Sequence, residues 1–140
     1  MKAITFYSTR PPRGGRNVKR KVVVMQETKM PIRATPFKHQ RNAYAAALET
    51  MTGGKSRGYA LLMDMGTGKT ITSIAIAGAL HLHGAIRRTL IVAPLSILGV
   101  WQEEFAKFAD FDYNLAILSG DIAKKVDTRT KCLALRSKLL

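Results

Sequence analysis

The sequence predicts an α/β fold: a short parallel sheet of three core strands flanked by helices, preceded by a basic N-terminal arm. Three observations carry this expectation. The runs YALLM (59–63), TLIVA (89–93) and YNLAIL (113–118) have the length and apolar character of strands buried on both faces. Longer stretches of helical pattern follow the first two runs. The connections are short, and strand–helix alternation with short loops gives parallel strands.

The elements follow in order. The segment RPPRGGRNVKRK (10–21) mixes Pro, Gly and bases and reads as an arm or loop, and KVVVM (21–25) as a short strand. Thr35 has the character of a helix N-cap, with Pro36 at the first helical position, where its missing N–H costs nothing. That helix runs through FKHQRNAYAAALETM and stops at Gly53-Gly54. KTITSIAIAGALHLH (69–83) reads as the next helix, closed by Gly84. A helix from Ser96 places Ile97, Trp101, Phe105 and Phe108 on one apolar stripe. The final segment, DIAKKVDTRTKCLALRSKLL, reads as a basic helix.

Composition narrows the function classes. An apolar content of 46% supports a packed core. No apolar run reaches the length of a membrane span, and the start, MKAITFYSTR, lacks the apolar middle of a secretory signal, so a cytoplasmic or nucleoid-associated protein is expected. The single cysteine, Cys132, fits a reducing compartment. The net charge of +14 is unevenly placed: +10 over residues 1–41, zero over 42–119 and +4 over 120–140. A neutral middle with two basic ends suggests polyanion contacts, with nucleic acid favoured over plain solvated tails.

DMGTGKT (64–70) lies between an expected strand and an expected helix, the context in which a glycine-rich turn ending in Gly-Lys-Thr becomes a phosphate cradle. Gly66 and Gly68 permit positive φ and close backbone approach. The N–H groups of Met65, Gly66, Thr67, Gly68, Lys69 and Thr70 can face an anion, and the helix start adds its positive dipole end. Lys69 suits the β- and γ-phosphates, and the Thr70 hydroxyl suits Mg²⁺. In the general pattern G-x-x-x-x-G-K-[S/T] the first glycine is replaced by Met63, which fits the end of a strand better than a turn.

MDMGTGKT resembles motif I of superfamily-two helicases, especially the Swi/Snf-type DNA translocases, whose usual form is D-E-M-G-L-G-K-T. The chain departs from it at Met63, Asp64 and Thr67. PFKHQRNAY (36–44) resembles the nucleotide-recognition Q motif, and TLIVAPLSILGVWQEEF (89–105) resembles motif Ia. The resemblance covers about residues 35–120. It implies part of a RecA-like P-loop NTPase lobe, with ATP and Mg²⁺ as cofactors and Lys69 as the catalytic lysine. It further implies that Gln40 pairs with adenine, and that Pro94, Leu95 and Ser96 lie against one strand of nucleic acid, double-stranded DNA being expected. Lys38 and Arg41 lie either near the nucleotide or on a solvated helix face. Trp101 sits on the apolar stripe, which favours core packing over a DNA contact.

Other candidates are weaker. His81 and His83 are two apart, so on a helix they do not share a face, and no Cys/His cluster has zinc-like spacing. The acidic D-E-x-H motif that would hold Mg²⁺ and position water for hydrolysis is not found; Glu103-Glu104 falls on the helix after motif Ia. The expectation is therefore a basic arm over 1–34 and, over 35–140, the first part of a helicase ATP-binding lobe that ends before the acidic motif. Such a chain binds ATP without turning it over, and its partners include DNA and the remainder of a longer ATPase. The alternatives are another superfamily-two helicase, phage or restriction-linked, and a nucleic-acid-binding module with a vestigial nucleotide site.

Overall fold

The computed structural model of the chain describes residues 2–7, 29–53, 56 and 58–118. The segments 10–21 and 21–25 and the expected C-terminal helix with Cys132 lie outside the described residues.

Among the described residues, three α-helices form the body. Helix α1 (Lys38–Thr52) buries Gln40, Tyr44, Ala47 and Leu48, one stripe at helical spacing. It begins two residues after the expected Pro36 because the Gln40 side-chain Oε1 accepts from Phe37 N at 3.0 Å, which makes Phe37 the N-cap. Helix α2 (Lys69–Leu82) is the central element, packed on α1 at one side and on α3 (Leu98–Phe108) at the other. Gly84, at φ 72, follows its end as expected. Gly78 is required midway along α2, since a Cβ there collides with the ring of Phe111.

Among the described residues, two of the three core clusters lie along α2. Tyr44 and Leu48 of α1 pack with Ile71, Ala75, Ala79 and Leu80 of α2, closed by Met30 and Ile32. The segment carrying those two residues is fixed to the end of α3: Arg33 N donates to Phe108 O at 2.9 Å, and Asp110 N to Pro31 O at 3.1 Å. On the other side, Ile74 and Phe105 are covered by Ile91, Trp101, Phe111, Tyr113 and Leu115. The apolar stripe of α3 is turned slightly from the expected one: Leu98 is buried and Ile97 is exposed, because a 3-10 turn at Leu95–Ile97 precedes the α-helix.

The sheet corrects the sequence expectation. Strands β2 (Arg88–Ala93) and β3 (Asn114–Leu118) form where expected. Between them, however, lies β1 (Lys2–Tyr7), antiparallel to both, with Ile4 opposite Ile91 and Ile117. The parallel sheet of three core strands is not formed. YALLM is not a strand: residues 58–64 have no regular structure, and Leu62 is 94% exposed. A strand requires a ladder partner, and β1 takes the inner edges of both β2 and β3. Ile91 and Ala93 of β2 face the helices, whereas Leu90 and Val92, alternate along the strand, are exposed.

Candidate nucleotide site

The glycine turn leads directly into α2. Gly66 has φ 79 and Gly68 has φ 87, both in the left-handed region that glycine adopts without strain. Gly68 is the N-cap, so Lys69 and Thr70 are the first two residues of the helix, where free N–H groups and the dipole favour an anion. Thr72, completely buried, donates through Oγ1 to Gly68 O at 2.9 Å and thereby fixes the junction of turn and helix. Met65 is 96% exposed, so only its backbone belongs to the turn's interior.

Within the turn, donors meet carbonyls. Lys69 Nζ donates to Met63 O and to Asp64 O, each at 2.8 Å. Thr67 Oγ1 donates to Asp64 O at 2.7 Å, and Thr67 N reaches the same oxygen at 3.5 Å. The Thr70 hydroxyl forms no hydrogen bond among the described residues.

The start of α1 is docked on this turn. Gln40 Nε2 donates to Thr67 O at 3.0 Å while its Oε1 accepts from Phe37 N. Both ends of the amide are thus engaged, although each atom retains one further hydrogen-bonding position. The nearest obstruction to a side chain at residue 68 is this same amide: a Cβ on Gly68 would collide with Gln40 Nε2. His39 Nε2 also lies 3.0 Å from Thr67 O, and its ring stacks on Phe37 with centroids 5.8 Å apart. Arg41 is turned away, its Nη1 donating to Pro36 O at 3.0 Å. One turn beyond Gln40, Tyr44 is buried, and desolvation pushes its phenol up from the usual tyrosine range, so it stays protonated. The sequence singled out Gln40 but not His39 or Thr72. A residue beside Gln40 and a threonine one turn after Gly68 were the available signals.

The second group of expected residues is separate. Pro94, Leu95 and Ser96 are exposed at the turn between β2 and α3, and no hydrogen bond among the described residues ties them to the glycine turn. Trp101 packs against Phe105 at 6.3 Å between centroids, in the core rather than on the surface of that turn. Among the described residues no cluster of His, Cys, Asp and Glu is arranged to hold a metal ion, and no helix is long and apolar enough to cross a membrane.

Residues 33–139, and so the turn, α1 and the β2–α3 connection together, match the family described as Type III restriction enzyme, res subunit. The chain belongs to this family. Two relatives are similar over part of the chain: chromodomain-helicase-DNA-binding protein 8 of Danio rerio is 36% identical over 62 residues, 44% of this chain and 2% of that protein. DNA excision repair protein ERCC-6-like of Mus musculus is 31% identical over 72 residues, 51% of this chain and 6% of that protein. The res-subunit assignment and these relatives place the chain among Swi/Snf-like superfamily-two helicases, as DMGTGKT suggested. The chain spans only a few per cent of the length of either relative. No solved structure matches it.

Proposed function

We propose that the chain is the ATP-binding part of a DNA-dependent, helicase-like ATPase. The observation that carries this reading is the turn itself: two left-handed glycines open onto Lys69 and Thr70 at the start of α2, and Gln40 is held against the same turn. These residues fit a nucleotide. The N–H groups of residues 65–70 and the α2 dipole suit phosphate oxygens, and Gly66, with nothing within 4 Å of a would-be Cβ, leaves room for close approach. Lys69 neutralises phosphate charge, the Thr70 hydroxyl at the first turn of α2 suits Mg²⁺, and Gln40 selects adenine through its remaining donor and acceptor. Held by these residues, ATP would bring its phosphoanhydride and Mg²⁺ would help to balance the phosphate charge.

Turnover requires in addition an acidic group to hold the cation and position water. Glu103 and Glu104 lie midway along α3 and are not placed at the turn by any described contact, so we assign binding without hydrolysis to these residues. Lys69→Ala is expected to weaken ATP binding in calorimetric titration about ten- to a hundredfold, the effect of losing one charge-assisted hydrogen bond. Equal affinity of the two proteins contradicts the role given to Lys69.

DNA is the proposed polymer. Pro94, Leu95 and Ser96 offer an exposed helix start for a phosphate, and residues 1–41 carry a charge of +10. Affinity for duplex DNA is expected to fall steeply with salt, with log K declining by about 0.9 for each phosphate neutralised per unit of log salt. A slope near zero removes the basic segments from DNA binding. The alternative of a nucleic-acid-binding module with a vestigial cradle predicts the same slope but no ATP binding.

A further inference from the structure

The turn is closed by its own donors. We propose that the Thr67 hydroxyl acts as a clasp on this closed form, so that phosphate has to open the turn before it is held. This rests on the reading of the turn as an ATP cradle.

Two groups that an anion would recruit, Lys69 Nζ and Thr67 N–H, are engaged on two carbonyls together with the Thr67 hydroxyl. Lys69 Nζ is shared between Met63 O and Asp64 O, and Asp64 O also receives Thr67 Oγ1 and Thr67 N. Asp64 O is therefore the common acceptor of a lysine ammonium, a hydroxyl and a backbone N–H. The ammonium keeps one N–H beyond these two contacts, so phosphate draws fully on Lys69 only as it leaves the carbonyls, and Thr67 N–H cannot face inward while it points at Asp64. Of the three contacts, the Thr67 hydroxyl's belongs to the closed form alone, because the hydroxyl is dispensable to a cradle built from backbone N–H groups. The usual leucine of motif I has no donor to make this contact, so the clasp is a property of this chain.

The same residue is anchored on its other side. Thr67 O accepts from Gln40 Nε2 and faces His39 Nε2, each at 3.0 Å. Thr67 N–H belongs to the 66–67 peptide unit and Thr67 O to the 67–68 unit, so the N–H can be released while the carbonyl stays held by the start of α1. The clasp sets a threshold: an anion must offer more than the closed form loses, which favours a polyphosphate over a single phosphate.

The test uses the full chain and its Thr67→Val variant, which keeps the shape of the side chain and removes the donor. Amide hydrogen exchange over residues 64–68 is measured without nucleotide, and Mg-ATP binding by titration. The clasp predicts faster exchange in the variant and ATP binding about three- to tenfold tighter, the effect of one hydrogen bond lost from the competing form. Unchanged exchange, or ATP affinity equal to or weaker than that of the unsubstituted chain, overturns it. If neither protein binds ATP, the cradle reading fails and the threshold fails with it; the exchange comparison still shows separately whether the hydroxyl closes the turn.

Discussion

Phe105→Ala is expected to destabilise the chain by about 3–5 kcal/mol, the range for removing a fully buried aromatic ring. Phe105 has 0% exposure and lies where α2, α3 and the sheet meet. Its ring is 5.2 Å from Tyr113 and 6.3 Å from Trp101, in tilted arrangements that aromatic pairs favour. Ile74 of α2 and Ile91 and Leu115 of the sheet belong to the same cluster, so the cavity is walled by three elements and collapses poorly. Domains of this size are stable by about 5–15 kcal/mol, so the loss is a large fraction of the total. The denaturation midpoint in urea reads it directly. Phe105→Leu, which retains most of the volume, is expected to cost well under half as much. An alanine variant with an unchanged midpoint contradicts the packing described for α3.

Gly68→Ala has the largest effect expected at the turn itself. At φ 87 an alanine carries a backbone penalty of about 1–2 kcal/mol. Its Cβ also collides with Gln40 Nε2 and lies 3.0 Å from Ile71 Cγ2. The Gln40 amide, 6% exposed, then has to leave Thr67 O, and a buried donor without its acceptor costs about 1–3 kcal/mol more. ATP affinity and thermal stability are both expected to fall. Gly66→Ala is the informative comparison. It has a similar φ of 79 but open space around the added carbon, so only the backbone penalty applies. If the two alanine variants behave alike, the contact between Gln40 and the turn has no energetic role.

The turn and α2 were legible in the sequence because their signals are local. Two glycines flank Thr67, and Gly-Lys-Thr opens an apolar helix. Gln40 was legible as a residue but not in its contact, which reaches from α1 to a backbone carbonyl 27 residues away. Backbone acceptors carry no side-chain signature. The sheet was the least legible part. A five-residue apolar run such as YALLM has the composition of a buried strand, but a strand exists only where another segment pairs with it. That pairing is set by the whole chain. The segment KAITFY, read as part of a basic arm, instead lies between the two strands that the pattern identified correctly. The 3-10 turn before α3 displaced the helical stripe by one residue, a shift below what apolar spacing resolves.

The central claim is that residues 65–70 receive the phosphates of ATP. Amide chemical-shift mapping of the 15.4 kDa chain during Mg-ATP titration tests it most directly. Saturable shifts are expected at Gly66, Thr67, Gly68, Lys69 and Thr70, with accompanying shifts at His39 and Gln40 where α1 meets the turn. Shifts confined to the basic segments, with these amides unmoved at saturating ATP, would contradict the account.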